Sequence, residues 1–187
     1  MKKILSKIKF AAVLIGGLFA ILLSTSGLLS KKHLHDKKLL NLSDDKLFEA
    51  VYFQNLDLVE SFSDEESALS QISPVRRTVY ILSIFDMEIQ NGGLCQFFVN
   101  SSRYLAPYVD ECLEDVGANA HRQLLDEFIA DNEIDLHNLD SFRISNIEEY
   151  TAQTERYNFD AFDNSYCELT ALQEYIVAYI KANISEF

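Results

Sequence analysis

The sequence has few cysteines and none of the spacings that build disulfide frameworks or metal sites. Cys95, Cys112 and Cys167 make an odd number, and each stands in an apolar context that suits a small buried hydrophobe. One disulfide plus a free thiol is the alternative. Because no Cys/His pattern has the spacing of metal ligands, we predict no metal site, and we predict no cofactor.

Catalytic motifs are also lacking. The chain has no phosphate-binding loop, no nucleophile elbow, no HExxH motif and no basic aromatic patch of the kind that binds nucleic acid. Adjacent carboxylates are common, but adjacent residues diverge on a helix and do not form a dyad. We therefore predict a protein without catalytic residues and without direct nucleic-acid binding. The remaining enzymatic hypothesis is a hydrolase-like site centred on Glu88, a carboxylate beside a glycine pair.

Strand patterns are missing as well. No segment alternates apolar and polar residues convincingly, whereas apolar residues recur at helical spacing from Ser43 onwards. The two prolines follow Ser73 and Ala106, where each suits the first turn of a helix. Capping boxes over residues 63–66 and 145–148 mark two more helix starts, and the last helix is predicted over about residues 163–182. The predicted class is all-α, a compact multi-helix domain behind an N-terminal apolar helix.

Acidic residues are absent before Asp36, where lysines precede an uncharged segment over residues 10–29. Such a segment can span a bilayer, and basic residues ahead of an apolar core also describe a secretory signal. We predict a signal-anchor or signal peptide over residues 1–30, a basic linker over residues 31–43 and an acidic helical domain over residues 44–187. The favoured location is the membrane, through a single-pass anchor. The alternative is a secreted or periplasmic domain, released by cleavage near Ser26.

Negative charge dominates the rest of the chain. Residues 33–187 contain ten basic and 29 acidic residues, a formal charge of −19, and residues 110–187 contain 18 acidic and four basic residues. A dense negative field repels nucleic acid and attracts basic partners. We predict a surface that binds a basic protein, formed by six carboxylates: Asp110, Glu111, Glu114, Asp115, Glu148 and Glu149. The alternative is that the acidity only keeps the protein soluble.

The longest apolar pattern of the domain surrounds a glycine pair. Residues 79–89 are almost all apolar and suit a helix that is buried on most of its surface. We predict that Gly92 ends this helix in the left-handed region and that a short second helix folds back on the first. The polar amides near the turn are predicted to be buried and to bind neighbouring backbone: Gln90, Asn91, Gln96 and Asn100.

Residues 88–100, EIQNGGLCQFFVN, resemble the signature of a family of bacterial domains of unknown function that includes an acidic DNA-mimic protein (DMP-type). The family pattern is roughly E-x-x-N-G-G-F-x-Q-F-F-x-N, and Leu94 stands where the family usually has Phe. The segment from Cys112 to Leu125 resembles the next helix pair of the family. The whole resemblance covers about residues 44–187. The matching motif residues are Glu88, Asn91, Gly92, Gly93, Gln96, Phe97, Phe98 and Asn100.

The resemblance implies a binding module whose acidic surface engages a DNA-binding protein, while the motif residues act in the fold. A second hypothesis is a membrane-anchored or exported interaction protein of the immunity type whose acidity is mainly solvation. A DNA mimic must meet its target in the cytoplasm, whereas a cleaved signal would export the domain. The formation of a homodimer is left open.

Overall fold

The computed structural model describes residues 34–187, which divide into a unit ending at Leu42 and a second unit, Ser43–Phe187. In the first unit, residues 34–40 are helical. The predicted N-terminal apolar helix, signal or anchor, lies outside the described residues. Between residues 34 and 187, none of the helices combines the length and the hydropathy of a membrane span.

The second unit is built from α-helices, and the described residues contain no strand, which confirms the all-α prediction. Three short 3-10 turns connect or follow the helices, at Ser101–Leu105, Leu139–Phe142 and Ile184–Glu186. The helices of this unit in chain order are α1 (Asp44–Glu60), α2 (Glu65–Gln71), α3 (Pro74–Val99), α4 (Ala106–Asp115), α5 (Asn119–Asp131), α6 (Ile147–Arg156), α7 (Phe159–Glu168) and α8 (Leu172–Ala182).

Helix α3 is the centre of this unit, with α1, α4, α7 and α8 packed around it. Residues 78–83 are buried without interruption, as is Phe85. The apolar run therefore forms the largely buried helix that its composition predicted. A helix that is apolar on nearly all sides needs neighbours on all sides, and the surrounding helices supply them.

Helix α3 is kinked at its two glycines. Gly92 has φ −160° and ψ 22°, and Gly93 has φ 74° and ψ 179°. In a straight helix, residues 88 and 100 would lie about 18 Å apart along the axis. Instead, Asn100 Nδ2 lies 2.9 Å from Glu88 Oε2, so the segment after the kink turns back on the segment before it, as predicted. The conformation predicted for Gly92 is wrong, because Gly93 is the residue with positive φ.

Aromatic side chains hold the later elements against the end of α3. The ring of Phe98 stacks on Phe142 with 4.6 Å between centroids, and it lies 6.4 Å from Phe128 and 6.5 Å from Phe159. Aromatic pairs of this kind contribute about 0.5–1.5 kcal/mol each beyond the area they bury. The Leu139–Phe142 turn is thereby fixed to the core, although its sequence has no helical period.

The predicted helix starts are confirmed at Ser73 and displaced by one residue at the two capping boxes. Ser73 Oγ accepts the backbone N–H of Arg76, with proline at the first helical position. At α2 the capping side chain is Asp64, and at α6 it is Asn146. Asp and Asn are N-caps as good as serine, and each stands one residue closer to the helix than the serine of its box.

The single last helix predicted over about residues 163–182 is wrong, because the chain forms α7 and α8 instead. Leu169 has φ −78° and ψ 162°, which ends the first helix in extended backbone. The break lets the two helices take different neighbours. Helix α7 packs on α3 and α5, whereas α8 packs on α3 and α1.

Candidate binding surface

The motif carboxylate Glu88 is fully engaged in holding the kink of α3. Its two oxygens accept hydrogen bonds from Gln96 Nε2 at 2.7 Å, Asn100 Nδ2 at 2.9 Å and Ser102 Oγ at 2.8 Å. Hydrogen bonds to a charged group are worth about 1.5–3 kcal/mol each, so these three are a strong tie between the two segments. The arrangement accounts for the motif residues Glu88, Gln96 and Asn100 without a reaction.

The prediction that the amides near the turn are buried and bind backbone is wrong in most details. Gln90, Asn91 and Asn100 are exposed, and Gln96 is half-buried. Gln96 and Asn100 bind the Glu88 side chain rather than backbone. Asn91 matches the family pattern, and nothing in the structure explains it.

A carboxylate from α7, Asp163, closes the kink from the other side. The backbone N–H of Leu94 donates to Asp163 Oδ1 at 2.8 Å, which satisfies an amide that the kink frees from the helix. A Cβ on Gly93 would lie 2.1 Å from Asp163 Oδ2. Burial raises the pKa of Asp163, and the Leu94 N–H opposes that rise. Local sequence patterns do not indicate this contact, because 69 residues separate the partners.

Two of the predicted binding carboxylates lie on α4 and share one arginine of α5. Arg122 Nη2 donates to Asp110 Oδ2 at 2.9 Å, and its Nη1 lies 3.1 Å from Glu114 Oε1. The hydrogen bond with Asp110 raises the pKa of Arg122. Burial and the neighbouring Asp110 raise the pKa of Asp126, the next acidic residue on α5. Part of the predicted negative field is therefore neutralised inside the domain.

The other two predicted carboxylates of α4 contact α3. Glu111 Oε1 lies 3.8 Å from Arg77 Nη2, and Asp115 Oδ2 accepts a hydrogen bond from Thr78 Oγ1 at 2.8 Å. The side chain of Glu111 is still 66% exposed, so a distant arginine leaves it accessible to a partner. Such exposed pairs are worth at most about 1 kcal/mol. The four acids of α4 thus face two arginines and keep a net negative charge.

The last two predicted residues, Glu148 and Glu149, lie on a different helix, in the first turn of α6. Glu149 Oε2 accepts the backbone N–H of Ser145, and its own N–H donates to Asn146 Oδ1. Carboxylates near a helix N-terminus are stabilised by the helix dipole, so capping explains Glu149. Glu148 is exposed, and its carboxylate is available to a partner.

A buried polar cluster lies among α3, α5 and α7. The hydroxyl of Tyr166 donates to Asp86 Oδ1 at 2.8 Å, and the Tyr166 ring lies edge-on to His121 with 5.1 Å between centroids. His121 is 2% exposed, and neither ring nitrogen makes a well-aligned hydrogen bond within residues 34–187. Burial lowers the pKa of His121, opposed by Asp86 and by the backbone of Thr170. The sequence singled out none of these contacts.

The comparisons with known proteins agree with the motif. A family model described as DMP19-like protein matches residues 70–183, more than half of the chain and all of α3 to α8. The comparison with curated proteins gave no match, and neither did the comparison with solved structures. The matched region contains the kink of α3 with Glu88 and Gly93. The chain therefore belongs to the DMP19-like protein family.

Proposed function

We propose that the Ser43–Phe187 unit is a non-catalytic module that binds a basic protein surface as a DNA mimic binds a DNA-binding protein. The observation that carries the proposal is the excess of unpaired acid. Within residues 34–187, ion pairs involve six of the 29 acidic residues, and most of the other 23 are exposed. Carboxylates that keep their charge at the surface attract a partner built to meet phosphates. Family membership supports the same reading.

The environment of Glu88 supports a non-catalytic role for the motif. A general acid or base needs a free position within hydrogen-bond reach of a substrate proton. Three side-chain donors already hold the Glu88 carboxylate. The predicted carboxylates on α4 make no contact with that site: Asp110, Glu111 and Glu114 pair with arginines, and Asp115 accepts a hydrogen bond from Thr78.

The test is capture of a partner with the full chain, followed by competition with DNA. Proteins of the source organism are bound to the immobilised chain at low salt, and double-stranded DNA is then added at increasing concentration. We expect a basic DNA-binding protein to be retained, to be displaced by DNA, and to bind more weakly as salt screens the charges. A partner that DNA does not displace would contradict the DNA-mimic role.

The location of the unit depends on the N-terminal segment, and we propose that residues 10–29 anchor the chain in a membrane. Fusion of a reporter to Phe187 tests the side that the domain faces, with alkaline phosphatase active outside the cytoplasm and a fluorescent protein active inside it. A cytoplasmic domain agrees with a DNA-binding partner. An exported domain would favour the alternative, an interaction protein of the immunity type with a basic partner in the envelope.

A further inference from the structure

A pocket of about 370 Å³ lies between α2 and the segment that leads into α4. It combines two carboxylates, two aromatic rings and two leucines, and none of the lining residues within 34–187 is cationic. Two helices and a 3-10 turn supply the walls, so the pocket depends on the fold and not on one mobile loop. The lining residues are Glu65, Glu66, Leu69, Tyr104, Leu105 and Tyr108.

The two tyrosines of the pocket are exposed. Tyr104 is 52% and Tyr108 is 40% accessible to solvent, although core positions for aromatic rings are plentiful in this domain. The guanidinium of buried Arg103 lies 4.6 Å from the centroid of Tyr104 and donates to its hydroxyl, which fixes that ring in place. Two backbone carbonyls also accept from Arg103, so its guanidinium is held in place inside the domain. Fixed exposed tyrosines are typical anchors of protein interfaces.

The two carboxylates of the pocket, Glu65 and Glu66, are held in position and still have oxygens available to a ligand. Glu65 Oε1 accepts the hydroxyl hydrogen of Tyr80 at 2.8 Å, which orients the side chain and leaves its second oxygen available. Glu66 forms no ion pair within the described part of the chain, and it is exposed. Their position in the first turn of α2 explains why acids are tolerated there. It does not explain the tyrosines or the hollow between them.

We propose that this pocket receives an arginine side chain of the basic partner protein. Leu69 and Leu105 offer an apolar wall to the aliphatic stem of that arginine. Its planar guanidinium can meet a carboxylate with two parallel hydrogen bonds and can stack on the ring of Tyr108. Lysine has neither the planar fork nor the stacking face. The inference rests on the proposed function, and it adds a site where one side-chain type is recognised within a complex otherwise driven by net charge.

The test uses two fluorescent peptide probes, hexa-arginine and hexa-lysine, whose binding to the full chain in a mild detergent is followed by anisotropy. Both carry the same charge, so the acidic field attracts them equally. We expect the arginine peptide to bind about three- to five-fold more tightly, the difference that one stacked cation at an exposed site provides. Glu66→Gln and Tyr108→Ala should each remove that preference.

The matched control is Glu148→Gln. Glu66 and Glu148 are both exposed and both lie in the first turn of a helix, so the two variants lose the same charge at comparable positions. We expect Glu148→Gln to leave the preference for arginine unchanged and to weaken both peptides by less than about two-fold. Circular dichroism confirms that each variant is folded before binding is measured.

The outcomes separate the pocket from the general function. Equal affinity for the two peptides, or equal effects of Glu66→Gln and Glu148→Gln, would overturn the arginine pocket. If both peptides still bind in a salt-dependent way, and DNA still displaces the captured partner, the basic-partner function stands without the pocket. If neither peptide binds and no DNA-competed partner is captured, the proposed function itself fails.

Discussion

Replacing Gly93 with alanine removes the one residue type that fits the kink of α3. The backbone there has φ 74° and ψ 179°, a conformation that is almost confined to glycine and costs other residues about 1–3 kcal/mol. The new Cβ would also lie 2.1 Å from Asp163 Oδ2, which is impossible without movement of that carboxylate. Two independent penalties therefore act at one position.

The size of the effect follows from those two penalties. Displacing Asp163 breaks its hydrogen bond to the Leu94 N–H, a charge-assisted bond worth about 1.5–3 kcal/mol. Asp163 is half-buried and regains some hydration when it moves, so the lower part of that range applies. Together with the backbone strain, we expect Gly93→Ala to lower the free energy of unfolding by about 2.5–5 kcal/mol.

Gly92→Ala is the matched control, because the same atom is added one residue earlier. Gly92 has φ −160°, which any residue adopts, and its Cβ would meet Oε1 of Gln96, the far end of a flexible side chain. Gln96 can swing away and lose its bond to Glu88. Alanine in place of glycine also lowers the conformational entropy of the unfolded chain, a gain of about 0.4–1 kcal/mol, so the net cost should be about 0.5–2.5 kcal/mol.

The measurement is thermal and urea unfolding of both variants, followed by far-ultraviolet circular dichroism. A difference of about 2–3 kcal/mol corresponds to melting temperatures about 4–12 °C apart for a domain of this size. Asp163→Ala sharpens the test, since in that background Gly93→Ala should cost less than it does alone. If Gly92→Ala proves as destabilising as Gly93→Ala, the assignment of the kink to Gly93 and Asp163 is wrong.

Three further predictions concern carboxylates and one histidine. Glu88→Gln should destabilise the domain by about 1–3 kcal/mol and leave partner affinity unchanged in the folded protein, since Glu88 ties the kink; unaltered melting with lost binding would contradict this. Arg122→Gln should strengthen binding of a basic peptide at low salt, because it frees Asp110 and Glu114, and unchanged or weaker binding would show that the freed charges do not face the partner. Burial keeps the pKa of His121 below its ordinary value of 6.5. The unfolded chain then binds more protons there than the folded one, so stability should fall as pH drops below about 6.5. Melting between pH 7 and 5.5 should show a smaller fall for His121→Phe than for the unmodified chain, and equal falls would exclude His121 as the cause.

The sequence was sufficient to predict α3 and its turn, because both depend on neighbours in the chain. A long apolar run implies a buried helix, and a glycine pair after it implies a sharp change of direction. The sequence alone could not predict which of the two glycines has a positive φ. The choice depends on Asp163, which approaches from α7 and accepts the freed N–H of Leu94. Contacts between distant residues leave no mark in a local pattern.

The break between α7 and α8 shows the same limit. Residues 169–171 read Leu-Thr-Ala, without glycine or proline, and the apolar spacing continues across them. Local propensity therefore predicts one helix. The break is made by packing, because α7 follows α3 and α5 while α8 lies against α1 and α3. Helix propensities differ by a few tenths of a kcal/mol per residue, which is less than the free energy gained by burying whole helix faces.

Composition predicted the total charge and could not predict its pairing. Asp110 and Arg122 are 12 residues apart and meet because α4 and α5 pack together. A count of acids therefore overstates the field near α4. The pocket beside α2 was missed for the opposite reason, since Glu65 and Glu66 had a sufficient local explanation as helix-start residues. Exposed Tyr104 and Tyr108 became informative only when the fold put them on the same hollow.

The acidic residues of this domain divide into two groups, one that stabilises the fold and one that is exposed at the surface. The first group accepts hydrogen bonds around α3 and stabilises the fold; its members are Asp86, Glu88 and Asp163. The family motif contains one of them, Glu88. Most of the other acids, on the helices around α3, are exposed, and the proposed partner can meet only this second group. A variant of the first group should lower stability, and a variant of the second should change affinity and its salt dependence at nearly constant stability. A match to the motif therefore identifies the scaffold, whereas under the proposed function the choice of partner rests with residues that the motif does not contain.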